Sequence, residues 1–229
     1  ISGVHSGADA AFAIRHSPPG QHDMAASDAK PASALPPKVV TVFGASRPQP
    51  GSAPYVEAEA AGEAIASAGF ELWNGGYMGT MEASAKGAKA AGGVAKGFLV
   101  PKLFPHRSSG GNDFLTEHVD ASSLLDRIGG MTEGVGYFLV LPGTVGTLTE
   151  LCVAWNVATL GELGKYTPPR IFCYRKPWQG VIEPMVAGLG ISEDHLKLIT
   201  FVDDAAEAVA LIKADWDAKA AALAAAPAA

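Results

Sequence analysis

One short stretch of the chain combines a carboxylate with residues that suit the binding of an anion. Positions 142–150 read Pro-Gly-Thr-Val-Gly-Thr-Leu-Thr-Glu. The two glycines allow a tight turn and a close approach of the backbone to a bound group. A turn of this kind leading into a helix presents free N–H groups and the positive end of the helix dipole to a ligand. We therefore predict a phosphate cradle, formed by Gly143, Thr144, Val145, Gly146 and Thr147.

Glu150 is the residue of this stretch that suggests chemistry. It follows Thr147 by three positions, which places it in the first part of the predicted helix. A carboxylate beside an anion site is not favoured by electrostatics, so its position needs another reason. We predict Glu150 as a catalytic residue.

The flanking elements would hold this stretch at the end of a strand. Residues 137–141 are almost wholly apolar, as expected of a parallel strand covered on both faces. Pro142 ends the strand because proline has no N–H for a sheet ladder. From Thr147 onward the pattern is helical, since Leu148, Leu151 and Trp155 fall on one stripe.

Two further glycine turns follow predicted strands. They are Gly44–Arg47 and Gly75–Gly79. The carboxyl ends of parallel strands share one edge of a sheet, and ligands bind there at the switch point of strand order. Three turns at that edge favour a nucleotide or phosphate ligand. From the first two turns we predict substrate contacts by Gly44, Ser46, Gly76 and Gly79.

The order of elements predicts an α/β fold with a single Rossmann-like, doubly wound domain. Two units of strand, glycine turn and helix occur within about sixty residues, which indicates a mostly parallel sheet flanked by helices. Predicted strands cover 39–43, 70–73, 94–100, 137–141, 171–174 and 198–202. Predicted helices cover 55–68, 81–91, 122–133, 147–162, 177–189 and, after a cap at Asp203 or Asp204, a last one to about 218.

We predict three regions along the chain. Residues 1–37 are rich in small and polar residues without periodicity, which is typical of disorder. Residues 38–218 form the domain, and 219–229 form an alanine-rich tail. Lys102–Asn112 is a polar, glycine-containing loop that we interpret as a flap over the sheet edge.

Composition excludes several classes of partner. The net charge of −6 argues against a nucleic-acid partner, and no apolar run approaches the length of roughly 20 residues that spans a membrane. The two cysteines lie in apolar runs, so we expect both to be reduced core residues in a cytoplasmic protein. Import into an organelle is disfavoured by Asp9, Asp23 and Asp28, because transit peptides are poor in acids.

Two common nucleotide-binding motifs are absent. The first turn reads Gly44-Ala45-Ser46-Arg47-Pro48 and lacks the three-glycine fingerprint of dinucleotide binding. No Gly-Lys-Ser/Thr sequence occurs, so there is no P-loop. Both an NAD(P) dehydrogenase and an ATPase are therefore disfavoured.

At this point the residues resemble the LOG ("lonely guy") family, the cytokinin riboside 5′-monophosphate phosphoribohydrolases often labelled lysine decarboxylases. The stretch 142–150 is similar to the family motif Pro-Gly-Gly-x-Gly-Thr-x-x-Glu. Residues 42–46 and 75–81 resemble its first two turns. Leu125-Asp126-Arg127 and Met131 match part of its Met-His-x-Arg-Lys-x-x-Met helix. The resemblance covers roughly Val39 to Lys213.

The resemblance implies a homodimer that binds a nucleoside monophosphate and hydrolyses the bond between base and ribose 5′-phosphate. Positive charge develops on the sugar when such a bond breaks, and a nearby carboxylate stabilises it. Glu150 would do so, with Arg127 as a second catalytic residue that positions it by bidentate contacts. Met131 is favoured as a core or dimer contact, with a base stacked near it as the alternative. No metal and no cofactor is implied.

The chain departs from the LOG pattern at three positions. Thr144 replaces a glycine, Tyr77 replaces a glycine of the second turn, and Ile128 replaces the lysine beside the arginine. The missing lysine removes a charge from the expected site. A non-catalytic carrier or sensor that binds a nucleotide or phosphorylated cofactor therefore stays open. A pyridoxal phosphate decarboxylase is disfavoured, because no lysine lies beside the cradle to form a Schiff base.

Structural roles compete with some of these assignments. Thr147 and Glu150 also have the spacing of a helix capping box. Arg127 lies at the flank of the apolar stripe of its helix, which favours partial burial and a partner over simple exposure. Asn74 is as well explained as a turn former as by a ligand contact.

Overall fold

A computed structural model describes residues 35–105, 110–161 and 167–225. Its centre is a parallel sheet of seven strands in the order β4-β3-β2-β1-β5-β6-β7. The strands are β1 Val39–Phe43, β2 Glu71–Asn74, β3 Ala95–Leu99, β4 Glu117–Asp120, β5 Tyr137–Val140, β6 Arg170–Tyr174 and β7 Ile199–Val202. The predicted α/β class with a parallel, doubly wound sheet is confirmed.

Helices connect consecutive strands and cover the sheet. They are α1 Ala53–Ser67, α2 Thr80–Ala90, α3 Leu124–Thr132, α4 Val145–Leu160, α5 Arg175–Leu189, α6 Glu193–Leu196 and α7 Ala205–Ala225. In α7 the Asp204 carboxylate accepts from the N–H of Glu207, and the Glu207 carboxylate accepts from the N–H of Asp203. The predicted aspartate cap is therefore present at Asp204, and Glu207 adds a hydrogen bond to the residue before the cap.

The core lies between the sheet and its helices, as expected for strands buried on both faces. β1 and β5 are buried along their whole length and pair in register from Val40 with Tyr137 to Phe43 with Val140. The rings of Phe43 and Phe138 stack with centroids 5.6 Å apart. This rigid pair of central strands ends directly below the two turns that were predicted to bind a ligand.

Most predicted elements are present, and two short elements were not predicted. The edge strand β4 was not predicted because all four of its residues are exposed, so it has no apolar alternation. The short helix α6 was also missed. Cys173 is buried as expected, but Cys152 is exposed on α4, so its assignment to the core is wrong for the single chain.

Several predictions lie partly or wholly outside the described residues. They concern the disorder of 1–34, the loop positions 106–109, the end of the long helix near Glu162, and the last residues of the tail, 226–229. Residues 219–225, predicted as part of the tail, continue α7. In the described part of the chain, no helix combines the length and the apolar character needed to cross a membrane.

Candidate functional site

The predicted turns meet at the switch point of the sheet. Strand order runs from β1 to β4 in one direction and from β5 to β7 in the other, so the connections diverge between β1 and β5. A cavity of about 240 Å³ opens at the carboxyl ends of these two strands. It is lined by Gly44, Ser46, Met81, Phe104, Leu124, Arg127, Ile128, Thr144, Gly146, Thr147, Thr149 and Glu150.

An ion pair lies in this cavity. The Arg127 Nη1 atom is 3.3 Å from Oε1 of Glu150, and both side chains are almost fully buried. The pair joins α3 to α4, which are separated in sequence by β5. The structure thus brings together the two residues that were predicted to be catalytic.

Helix α3 presents Arg127 because its start is firmly capped. The Ser123 hydroxyl accepts from the N–H of Asp126, and the Asp126 carboxylate accepts from the N–H of Ser122 at 2.7 Å. The bonds from the N–H and the hydroxyl of Ser122 to this carboxylate lower the pKa of Asp126, so it stays ionised at the helix start, where the dipole favours a negative charge. Arg127 then follows in the first turn with its side chain directed into the protein.

Backbone carbonyls hold the rest of the guanidinium. The Nε atom of Arg127 donates to the carbonyl of Phe98 at 2.8 Å, and Nη2 donates to the carbonyl of Gly75 at 3.1 Å. Phe98 belongs to β3 and Gly75 follows β2, the neighbouring strand. Bonds to two neighbouring strand segments fix the plane of the guanidinium, which a lysine ammonium would not reproduce.

Burial changes the acidity of Glu150. Loss of water around the carboxylate raises its pKa to about 7, an effect that the charge and hydrogen bond of Arg127 partly oppose. A carboxyl group that titrates near neutral pH can both accept and donate a proton. A shifted pKa in a cleft is typical of catalytic carboxyl groups, although buried structural ion pairs show such shifts too.

The cradle lies at the start of α4. Thr144 is the N-cap residue, with an extended backbone, and its side chain makes no capping hydrogen bond. The first N–H groups of a helix have no partner within it, so they are available to an anion. Because the helix starts at Val145, Thr147 is its third residue, and the capping-box interpretation of Thr147 and Glu150 is wrong.

The cradle residues differ in their access to the cavity. Thr144, Gly146 and Thr147 line it, whereas Gly143 and Val145 do not. A methyl group on Gly143 would lie 2.1 Å from the Thr147 hydroxyl, so this glycine allows Thr147 to fold back over the turn. Val145 is 78% exposed and faces away from the core.

The first two turns pack against each other. Gly44 and Ser46, for which substrate contacts are predicted, line the cavity. Gly79 has a positive φ of 73°, and a methyl group on it would lie 2.5 Å from the carbonyl of Ala45. Gly76 also has a positive φ, and its carbonyl accepts from Asn112 in the loop after β3. Gly76 and Gly79 therefore shape the turn and do not line the cavity.

Met131 lies away from the cavity. It is fully buried in the core, and its carbonyl accepts from the Thr41 hydroxyl of β1 at 2.9 Å. Ile128, one turn earlier on the same helix, and Leu124, two turns earlier, line the cavity. The structure therefore does not place Met131 near a ligand in this cavity.

An apolar wall of the cavity was not predicted from the sequence. It consists of Met81, Phe104, Leu124 and Ile128. Phe104 packs edge-on against Tyr77 with centroids 5.3 Å apart. Apolar residues of this kind carry no signal in a single sequence that separates a cavity wall from a core. The cavity thus has an ion pair at Arg127 and Glu150, a wall of hydroxyls and an apolar wall.

Two other observations bear on the choice of site. A larger cavity of about 440 Å³ opens at the amino edge of the sheet, beside Pro36, Val135 and Pro169. Its lining is largely apolar, and Glu133 is its only ionisable residue among those described.

Among the described residues, no group of three or more histidines, cysteines and acids is arranged to hold a metal. The smaller cavity, which contains the charged pair Arg127 and Glu150, is therefore the better candidate for a functional site.

Comparison with known proteins identifies the family. The sequence profile of the SLOG cluster4 family matches residues 37–161, more than half of the chain. The chain belongs to this family. The matched region contains both turns, α3 and α4, and hence every residue that lines the cavity.

Named relatives agree with the resemblance to LOG proteins. A cytokinin riboside 5′-monophosphate phosphoribohydrolase of Mycobacterium tuberculosis is 36% identical over 140 residues, 61% of this SLOG cluster4 protein and 71% of the relative. One of Rhodococcoides fascians is 32% identical over 152 residues, with coverages of 64% and 75%. One of Mycobacterium marinum is 38% identical over 105 residues, with coverages of 45% and 55%. The resemblance is thereby confirmed.

Solved structures share the fold of this SLOG cluster4 protein. A molybdenum cofactor binding protein from Rippkaea orientalis has a TM-score of 0.61 at 18% identity, over 80% of this chain and 99% of that one. The molybdenum cofactor carrier protein of Chlamydomonas reinhardtii has a TM-score of 0.57 at 23% identity, over 81% and 99%. At these identities the likeness establishes the fold alone.

Proposed function

We propose that this protein is a hydrolase that cleaves a nucleoside 5′-monophosphate into free base and ribose 5-phosphate. The observation that carries the proposal is the buried pair of Glu150 and Arg127 beside the uncapped start of α4. The relatives named as cytokinin riboside 5′-monophosphate phosphoribohydrolases support the same reaction.

The proposed substrate pose follows from the two walls of the cavity. The 5′-phosphate accepts from the first N–H groups of α4 and from the hydroxyls of Thr144 and Thr147, with Ser46 opposite. The base lies against the apolar wall. A cavity of about 240 Å³ is smaller than the roughly 300–1,000 Å³ typical of ligand sites, which suits a sugar phosphate inside and a base at the mouth.

The proposed reaction breaks the bond between the sugar C1′ and the base nitrogen. The bonding electrons leave with the base, which takes up a proton, and positive charge develops on the sugar. The Glu150 carboxylate stabilises that charge and accepts a proton from the water that attacks C1′. Arg127 holds the carboxylate in place. The products are the free base and ribose 5-phosphate.

Substitution of the ion pair tests the proposal. We expect Glu150→Gln and Arg127→Ala each to abolish release of base from AMP and from an N6-prenylated AMP, measured by chromatography. Glu133→Gln, at an exposed residue outside this cavity, is the control and keeps wild-type activity. Undiminished release by both variants of the pair would refute the assignment.

We also propose that the protein forms a homodimer through α4. This helix is apolar around most of its circumference, whereas a surface helix normally has a polar face. Leu148, Cys152 and Val153 border an open apolar groove along it, and Leu160 is 46% exposed. A second copy of the same face would cover these side chains.

A second candidate function is non-catalytic binding of a nucleotide or phosphorylated cofactor. It is favoured by Ile128, which is buried in the cavity wall where the LOG motif has lysine. A relative of known fold is named a molybdenum cofactor carrier protein. This function predicts a rise in melting temperature with AMP but no release of base over hours.

A further inference from the structure

The turn that follows β2 is held by one buried amide. Asn74 is fully buried, and its Nδ2 atom donates to the carbonyl of Met81 at 2.8 Å and to the Ser84 hydroxyl at 3.0 Å. Its Oδ1 atom accepts from the N–H of Gly76 at 2.8 Å. The amide thus ties both ends of the turn to α2, and Gly75 lies between the residues it holds.

Gly75 faces the guanidinium of Arg127 from this turn. Its carbonyl accepts from Nη2 of Arg127 at 3.1 Å. A methyl group on Gly75 would lie 1.7 Å from the same Nη2 atom and 2.7 Å from Sδ of Met81. The three nearest atoms all belong to side chains, and Gly75 is not among the glycines with positive φ. Glycine is therefore required here by the position of Arg127 and not by the backbone conformation.

We propose that Asn74 and Gly75 are positioning residues that set the guanidinium of Arg127 against the carboxylate of Glu150. Neither residue lines the cavity: Gly75 contacts Arg127 directly, and Asn74 holds the turn that contains Gly75. The Gly75 carbonyl and the Phe98 carbonyl hold two sides of the guanidinium, and Nη1 is thereby directed at Glu150. The catalytic meaning of this arrangement rests on the proposed function, but the arrangement itself is testable without substrate.

The electrostatic surroundings make Glu150 a reporter of this geometry. Residues from the first turn, α2, the segment at Phe104, α3 and α4 itself line the cavity around the carboxylate. Among the described lining residues, Arg127 is the one other charged group. Displacement of its guanidinium therefore removes the charge that opposes the effect of burial on Glu150.

Gly75→Ala tests the proposal, with Gly129→Ala as a matched control. Gly129 lies on α3, two residues after Arg127, and a methyl group there meets nothing within 4 Å. The readout is the pH titration of the Glu150 carboxyl by NMR of protein labelled with ¹³C-glutamate, with the resonance assigned by its loss in Glu150→Gln. We expect Gly75→Ala to raise the midpoint by roughly one unit or more and Gly129→Ala to leave it unchanged. An unshifted midpoint in Gly75→Ala would overturn the proposal.

The same substitution made in an Arg127→Met variant separates the displacement of Arg127 from general damage to the fold. Arg127→Met removes two of the three atoms that the new methyl group would meet, Nη2 and Cζ of Arg127, and leaves Sδ of the flexible Met81 side chain. We expect Gly75→Ala to lower the melting temperature in the wild type and to lower it clearly less in Arg127→Met, where only the end of the Met81 side chain has to shift. If the single variant does not fold but the double variant does, the clash with Arg127 is demonstrated. Equal losses in the two backgrounds would contradict the proposal.

The titration and the base-release assay give independent answers. A shifted midpoint in a protein that releases no base supports the positioning role and refutes the proposed reaction. Release of base by the wild type, together with an unshifted midpoint in Gly75→Ala, supports the reaction and refutes the positioning role. If the positioning role and the proposed reaction are both correct, the pH profile of kcat/KM shifts toward higher pH in Gly75→Ala.

Discussion

Glu150 gives the protein a pH dependence that can be measured. Burial raises the pKa of this carboxyl to about 7, so the carboxylate forms only as the pH rises through neutrality. Because the proposed reaction needs the carboxylate, we expect kcat/KM for base release to increase between pH 6 and pH 8 and then to level off, by about tenfold per unit on the acidic side. Steady-state rates across this range provide the measurement.

The substrate phosphate titrates near pH 6 and requires a control. Binding of ribose 5-phosphate to Glu150→Gln, measured by calorimetry over the same range, reports the phosphate alone. We expect that binding to be constant above pH 7. A kcat/KM that is independent of pH from 6 to 8 in the wild type would contradict the role of Glu150.

Ile128 offers a test of the missing lysine. It is 3% exposed and lines the cavity one residue after Arg127. In Ile128→Lys a second cation would reach the cavity, and a charge-assisted contact should tighten the binding of ribose 5-phosphate by about tenfold. The added charge should also lower the pKa of Glu150 and shift the acidic limb of kcat/KM to lower pH.

The matched control for this substitution is Leu125→Lys. Leu125 lies on the same helix but is 78% exposed and does not line the cavity. We expect it to bind ribose 5-phosphate as the wild type does. Equal tightening in both variants would mean that the effect comes from net charge and not from the cavity.

At the scale of elements, α1 and α2 pack unusually closely. A methyl group on Gly62 of α1 would lie 1.9 Å from the carbonyl of Ser84 on α2, and one on Gly87 of α2 would lie 1.9 Å from the carbonyl of Glu59 on α1. Each helix thus contributes one glycine against the backbone of the other. This contact fixes α2, and with it Met81 and the second turn.

Gly62→Ala should therefore push the two helices apart. We expect the free energy of unfolding to fall by about 1–3 kcal/mol, because backbone atoms cannot move aside as a side chain can. Urea denaturation gives the measurement. Gly188→Ala on α5 is the control, since a methyl group there meets nothing within 4 Å and should stabilise the helix slightly. Similar losses in both variants would contradict the close packing.

Elements were predictable from the sequence where burial imposes a pattern. The bounds predicted for β1 match the observed ones because four apolar residues and one threonine, a β-branched residue, precede a glycine turn. β4 was missed because Glu117–Asp120 is an exposed edge. The start of α4 was placed late, since Thr144 is its N-cap and Thr147 only resembles one. Sequence patterns indicate helices and strands that are buried or capped, and they do not indicate an element that is neither.

The site was predictable in part. Glu150 stands out in the sequence because it follows a glycine turn at a helix start, and Arg127 was assigned its role through the resemblance to the LOG motif. The position of Met131 in the core depends on which turn of α3 faces β1, and only tertiary packing decides that. The support of Arg127 by the carbonyls of Gly75 and Phe98 is carried by backbone atoms and leaves no signature in side-chain types.

At the scale of the whole molecule, the proposed dimer makes a further prediction. Cys152→Asp places a charge on the exposed apolar face of α4. We expect the wild type to sediment as a dimer and this variant as a monomer in analytical ultracentrifugation, since an unpaired buried charge is strongly unfavourable. Val56→Asp, at a position of α1 that is 55% exposed, should remain dimeric. A monomeric wild type would refute the dimer.

The path of α7 has a practical consequence for handling the protein. This helix starts after β7 at the edge that contains the cavity and runs back, so that Trp216 Nε1 donates to the carbonyl of Pro36 at 3.0 Å, just before β1. It then continues to Ala225. A biotin or fluorophore attached near Ala225 would therefore project from the side opposite the cavity. Molecules immobilised on a sensor chip through that point would all present their openings to the flowing analyte.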